Sequence, residues 1–299
     1  MTDEQEPLGH HATPQGVGML QHHRPDTRQV PGPEPAAIDY PAIQAPSAET
    51  TDELENALIR CRACPRLVAW REHIGAIKRT TYCDWDYWAK PVPGFGPADA
   101  AVALIGLAPA AHGGNRTGRI FTGDPSGDLL YATLHTLGAA SQTSSTHRSD
   151  GLILHGVRIT VPVHCAPPDN QPTTTERDTC RPWLTRELRL LQPTLSVVVA
   201  LGGFAWRALL PALAATGWTL PTPRPAFGHG RHVRLGSPST PRELHLFGCY
   251  HPSQRNISTG TLTPAMLHDL LQRALATATH QPPENTGKEE SLTRRDETY

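Results

Sequence analysis

The chain has 299 residues, 38% of them hydrophobic, with 30 prolines and 25 glycines, which suits one large domain or two small ones with unfolded flanks. No apolar run approaches a bilayer span, and Met1 to His11 is acidic and His-rich without an apolar core. A membrane or secreted protein is therefore not expected, and the cytoplasm is the default. The net charge of −1 hides an asymmetry: residues 51–280 hold 22 Lys and Arg against 16 Asp and Glu, while the flanking segments are acidic, so a polyanionic partner suits the middle of the chain.

Residues 1–50 are rich in Pro, Gln, His and Gly and carry no helical or strand period, so they are expected to be disordered. Residues 281–299 read the same way, which leaves 51–280 as the folded domain. Thr51 to His73 has helical periodicity interrupted by a Cys-Arg-Ala-Cys-Pro turn. Ala101 to Leu107 is a short continuous apolar run of the kind a buried parallel strand requires. A Gly-rich loop follows, then a helix from about Ser126 to Ala139. Val157 to Val163 and Leu195 to Leu201 read as strands, with a helix over Glu176 to Leu191 between them. Phe204 to Ala215 is helical, Glu243 to Cys249 is a strand, and Thr263 caps a closing helix with Pro264 in its first position. This alternation predicts a three-layer α/β/α fold: a mostly parallel sheet, helices on both faces, and sites at the carboxyl ends of the strands.

Three strand ends carry chemistry-bearing residues. After the first strand comes a loop from Gly106 through His112, Gly113, Gly114, Asn115, Arg116 and Arg119 to Phe121 and Asp124. Its glycines permit close backbone approach, and its exposed amides suit an anion or a polarised water. It has neither G-x-G-x-x-G nor G-K-[ST], so a nucleotide-phosphate loop is excluded. Past the second strand, Asn170 offers one acceptor and two donors to a planar amide such as a base edge, although a turn asparagine is the commoner role. Past the last strand, His251 is placed to donate to an oxygen as charge develops there.

Of the six cysteines, Cys61 and Cys64 form a C-x-x-C before Pro65, and Cys165 and Cys180 are separated by fourteen residues. In a cytoplasmic protein these read as ligands or free thiols rather than disulfides. Four thiolates from two segments can enclose a tetrahedral ion or a cubane cluster, and the wide second pair is looser than the two tight knuckles usual for zinc. The alternative is that Cys165 and Cys180 are small buried residues, as Cys83 and Cys249 are expected to be.

Taken together, GLAPAAHGGNRTGR from Gly106, FTGD from Phe121, VHCAPPDNQP from Val163 and HPSQRN from His251 resemble the uracil-DNA glycosylase superfamily, in particular its type 5 branch, over about residues 54–278. The resemblance implies a monofunctional, monomeric DNA glycosylase. It would hydrolyse the N-glycosidic bond of uracil, and of other deaminated bases such as hypoxanthine, and so initiate base excision repair near the nucleoid. It implies a 4Fe–4S cluster on Cys61, Cys64, Cys165 and Cys180. Phe121 would stack on the flipped base, Asn170 would read its edge and His251 would stabilise the departing O2. Arg255 and Asn256 would enter the DNA groove. The polar residue that orients the attacking water in other branches is missing at Ala108, as in type 5 enzymes, and Asn115 is the nearest polar candidate for that task. Two alternatives remain open: a catalytically silent iron–sulfur DNA-binding module, and an electron carrier.

Overall fold

The structure, a computed structural model, describes residues 37–237 and 240–279. Its centre is a five-stranded sheet made of β1 (Val102–Ile105), β2 (Val157–Thr160), β3 (Val197–Leu201), β4 (His232–Ser237) and β5 (Thr240–Cys249), in the order β2-β1-β3-β5-β4. β1 pairs in parallel with β2 and with β3, β3 pairs in parallel with β5, and β4 runs antiparallel along the β5 edge.

The continuous apolar runs follow from burial on both faces. Val102, Leu104, Ile159 and Val199 enter one core with Leu130 and Leu134 of α5 (Pro125–Thr136) and Leu267, Leu270 and Leu271 of α9 (Pro264–Thr279). Ala103, Ile105, Val198 and Ala200 enter the other with Leu184 and Leu188 of α6 (Thr174–Leu191) and Trp206 and Leu209 of α7 (Gly203–Ala215). Three layers result, as expected. Local signals set the helix starts. Thr173 and Glu176 form a capping box on α6, Asp124 accepts from the Ser126 and Gly127 amides at the start of α5, and Thr263 accepts from Met266 ahead of α9.

The expected tail boundary at residue 50 is corrected: α1 (Tyr40–Ser47) lies inside that segment, packs against α6 and buries Ala45. Pro41 in its first turn supplied a helix-start signal that the Pro-rich composition hid. The rest of both expected tails falls outside the described residues. The helical stretch after residue 50 is two helices, α2 (Thr51–Leu58) and α3 (Pro65–Ile77), with Cys64 as the residue preceding α3. β4 was not anticipated, because most of its residues are exposed or half-exposed and show no apolar run.

A polar knot ties the sheet to two helices. Arg158 of β2, only 2% exposed, donates to Glu187 (2.5 Å), to Glu55 (2.5 Å) and to the Gly96 carbonyl (2.6 Å). The second oxygen of Glu187 accepts from the Thr160 hydroxyl at 2.6 Å.

Candidate active site

All four parallel strands end at one edge of the sheet, and the chain leaves β1 for β2 on one side while β3 lies on the other, so the crevice between the strand ends is where a ligand fits. The loop after β1 is held there by its own arginines. Arg116 donates to the His112 carbonyl at 2.7 Å and lies over the rings of Tyr82 and Trp85, at 3.8 and 4.2 Å from their centroids. Arg119 is paired with Asp150 at 2.7 Å and donates to Ser145 at 2.8 Å. These cations are engaged in holding the loop rather than presented to a polyanion.

The same loop forms a short helix, α4 (Gly114–Thr117), and delivers Phe121 in the left-handed region at φ 53°. Gly106 makes room for that ring: a Cβ there would lie 2.8 Å from it. The Phe121 ring faces His251 with centroids 5.8 Å apart and planes at 33°. His251 follows β5 and rests against Gly202, whose φ of 101° strains any side chain and where an added Cβ would lie a tight 3.2 Å from the His251 Cβ. The His251 carbonyl accepts from the Asn256 side-chain amide at 2.8 Å. Asn256 lies on α8 (Gln254–Ser258), capped by Ser253, and Arg255 beside it is exposed. Burial pushes the His251 imidazole down to about 4, so it is neutral at physiological pH.

Asn170 lies elsewhere along the edge. It is exposed, at φ 56° beside Asp169 at φ 54°, and lines an open cleft with Trp70, Tyr82, Ala110, Gly113 and Asp124. Phe121 and His251 do not line that cleft, so the expected base-binding residues form two groups. Left-handed non-glycine residues are costly and collect at functional sites, and three of the five described here are Phe121, Asp169 and Asn170. Asp124 is a carboxylate in the cleft that sequence reading passed over. Its only sequence signal was the Asp-Pro of a helix start, and one of its oxygens does cap α5.

Asn115 is wholly buried, and its amide nitrogen donates to the Arg71 carbonyl at 3.1 Å. That placement removes it from the cleft wall and disfavours the water-orienting task expected of it. Ala108 is half-buried against Leu67, Val163 and Cys165.

Cys61, Cys64, Cys165 and Cys180 line one narrow cavity, with Leu58, Leu67, His164 and Trp183 also in its wall. Cys83 is exposed and Cys249 is buried in the sheet core, both apart from this cavity. Burial raises all four thiols, Cys64 to about 12 and Cys165 to about 11, and nearby thiols in the set raise Cys64, Cys165 and Cys180 further. Among the described residues no three His, Cys, Asp or Glu side chains converge as ligands of a single metal ion. The indole N–H of Trp183 and Nε2 of His164 are buried without a clear hydrogen-bond partner.

Comparison with known proteins identifies the architecture. Residues 93–275 match the uracil DNA glycosylase superfamily. The chain belongs to that superfamily. Within it, the chain is 52% identical over 220 residues to a type-5 uracil-DNA glycosylase of Mycobacterium bovis, covering 73% of this chain and 79% of the relative. It is 48% identical over 229 residues to the type-5 enzyme of Mycobacterium leprae, covering 76% and 95%. It is 46% identical over 217 residues to that of Thermus thermophilus, covering 73% and 93%. The chain is thus a type-5 member of the uracil-DNA glycosylase superfamily, as the strand-end motifs implied. Among its described residues, no helix is long and apolar enough to cross a membrane.

Proposed function

We propose that this protein hydrolyses the N-glycosidic bond of uracil in DNA, and that of other deaminated bases such as hypoxanthine, as the first step of base excision repair. The observation that carries the reading is the pairing of Phe121 with a neutral, half-buried His251 at the carboxyl edge of the sheet, in a chain so similar to named uracil-DNA glycosylases.

The bond to be cut lies inside a duplex, so the nucleotide is turned out into the site, at a cost that is smallest for a mismatched base. Phe121 offers an apolar face for the base, and Asn170 supplies an amide for its edge. As the bond to N1 breaks, the electron pair leaves with uracil and charge grows on O2. A fixed N–H of His251 stabilises that charge where a donor is most effective. Water adds to the sugar carbon, and the proton it loses passes through solvent to the departing uracil anion. With Asn115 engaged by Arg71, the carboxylate lining the cleft, Asp124, is our assignment for ordering that water. Arg255 and Asn256 flank the path of the strand, Asn256 also bracing His251.

The residues present fit a 4Fe–4S cluster on Cys61, Cys64, Cys165 and Cys180. Four thiols line one cavity, and a cubane spreads its ligands more widely than a single tetrahedral ion with bonds of about 2.3 Å. The Trp183 N–H in the wall lies beside the Cys61 thiol and suits a sulfur acceptor. A cluster there supplies no electrons to a hydrolysis; it would cross-link α3, the segment after β2 and α6.

Single-turnover incubation with uracil- and hypoxanthine-containing oligonucleotides, followed by alkali, tests the reading. Strand cleavage at the modified base is expected. Protein with intact iron that binds these oligonucleotides and cuts neither would instead be a silent DNA-binding module.

A further inference from the structure

Arg71 is 2% exposed on α3 and touches the cysteine cavity and the catalytic loop from opposite ends of the same residue. Its guanidinium donates to the Cys165 sulfur at 2.8 Å and to the Cys61 carbonyl at 3.1 Å. Its backbone carbonyl accepts from the buried Asn115 amide at 3.1 Å. Asn115 in turn is fixed by backbone bonds to Ala110 and Ala89, and Ala110 lines the cleft that holds Asn170 and Asp124.

The charge balance at Arg71 is incomplete. A buried cation needs a partner. The nearest carboxylate, Glu72, is 3.8 Å away and 43% exposed, and the guanidinium Nε has no acceptor. What the guanidinium does meet at short range is a cysteine sulfur, which becomes an anionic acceptor when it ligates iron.

We infer that Arg71 is the counter-charge of the Cys165 thiolate and the positioning residue through which the cysteine centre fixes the Asn115 segment of the catalytic loop. This rests on the reading of the four cysteines as cluster ligands. A donor and a positive charge beside a ligating sulfur raise the reduction potential of a cluster. The role therefore has a signature that packing alone does not produce.

The test uses full-length protein purified anaerobically, with iron and sulfide assayed first. Wild type without iron or sulfide would overturn the cluster reading, and this inference with it. In iron-loaded protein, Arg71→Gln is expected to shift the cluster potential to more negative values and Arg71→Lys, which keeps the charge, to shift it less. Both should slow single-turnover uracil excision about 10- to 100-fold. Asn115→Ala should slow excision while leaving the potential at its wild-type value, and its loss should not add to that of Arg71→Lys. An unchanged potential in Arg71→Gln would reduce Arg71 to a packing role. Should that variant not fold, wild-type excision by Asn115→Ala, or full additivity with Arg71→Lys, would overturn the link to the loop.

Discussion

Arg158 and Arg71 are equally buried, at 2% exposure, and the protein provides for them differently. Arg158 meets two carboxylates and a carbonyl, and its main partner Glu187 is itself satisfied by Thr160. Arg71 meets a thiol, a carbonyl and a carboxylate at 3.8 Å, with one N–H left over. The contrast extends to their surroundings. Among the described residues, the buried side-chain atoms without a clear hydrogen-bond partner are Nε1 of Trp70, Nε of Arg71, Oδ1 of Asn115, Nε2 of His164 and Nε1 of Trp183. Each belongs to Arg71, to its chain neighbour Trp70, to its partner Asn115 or to the cysteine cavity. Polar groups in protein interiors are nearly always satisfied. One network is thus closed by the protein's own side chains, and the other keeps donors free beside the cysteines proposed to hold a cluster.

The strongest challenge to that contrast is to remove a ligand. Cys180→Ala should lose iron, the broad absorbance near about 400 nm expected of a thiolate-bound cluster, and solubility together. A variant that keeps wild-type solubility and melting temperature would show that the cavity is closed without any bound group. The matching change in the other network is Glu187→Ala, which leaves Arg158 buried with a single carboxylate. Breaking a buried pair in this way costs about 3–5 kcal/mol. A lower melting temperature with iron content per folded molecule unchanged is expected, and loss of iron in step with stability would mean that the two regions are not separate.

Much of this architecture was legible in the sequence. Apolar runs marked β1 and β3, because strands covered on both faces have no polar side to show, while β2 and β5 were read as strands although they carry Arg158 and His245. The edge strand β4 was hidden for the converse reason. Cys61 and Cys64 were visible by spacing, whereas Cys165 and Cys180 needed the family resemblance, since only folding brings a loop after β2 and a helix to the same wall. The direction of Asn115 was not legible, because polarity within a loop says nothing about it, and its side chain turns inward to α3. Asp124 was overlooked because a helix-capping aspartate and a cleft carboxylate look alike in one dimension.

His251 represents a third treatment of a polar group: half-buried, with neither ring nitrogen hydrogen-bonded among the described residues. His251→Ala should slow single-turnover excision about 100- to 1,000-fold, with little change in affinity for uracil-containing DNA, because the donor acts on charge that exists only in the transition state. Equal losses in binding and rate would count against the role. The pH profile gives a second check. Its pKa is depressed from an ordinary 6.5 to about 4, so the neutral form persists down to that region. Excision should stay level from neutral pH to about 5 and fall as pH drops through about 4. A rate that climbed as pH fell through about 6.5 would instead implicate the imidazolium. Between those two values the unfolded chain binds a proton that the folded site excludes, so His251's contribution to stability is present above about 6.5 and is lost as pH falls toward about 4.

The smallest expected effect concerns Asn170, which is exposed and strained where Arg158 and Arg71 are buried and relaxed. Its φ of 56° is one that asparagine tolerates better than most residues and glycine adopts without cost. Replacement by alanine would therefore mix loss of the amide with a backbone penalty, and Asn170→Gly is the cleaner variant. Loss of a two-point amide contact to a base edge is worth about 1–3 kcal/mol by analogy with groove readout, roughly 5- to 150-fold in rate. Uracil excision by Asn170→Gly should fall by that amount. Hypoxanthine excision should fall less, because a purine presents a different edge and depends more on stacking against Phe121, a contact that is tolerant of base identity. Phe121→Ala should accordingly lower both activities together. The measurement is single-turnover cleavage of matched oligonucleotides by the wild type and the two variants. An unchanged uracil-to-hypoxanthine ratio in Asn170→Gly would remove Asn170 as the reader of the base. The strain at Asp169 and Asn170 would then serve only to shape the cleft beside Asp124, and discrimination would have to come from the Phe121–His251 side of the site.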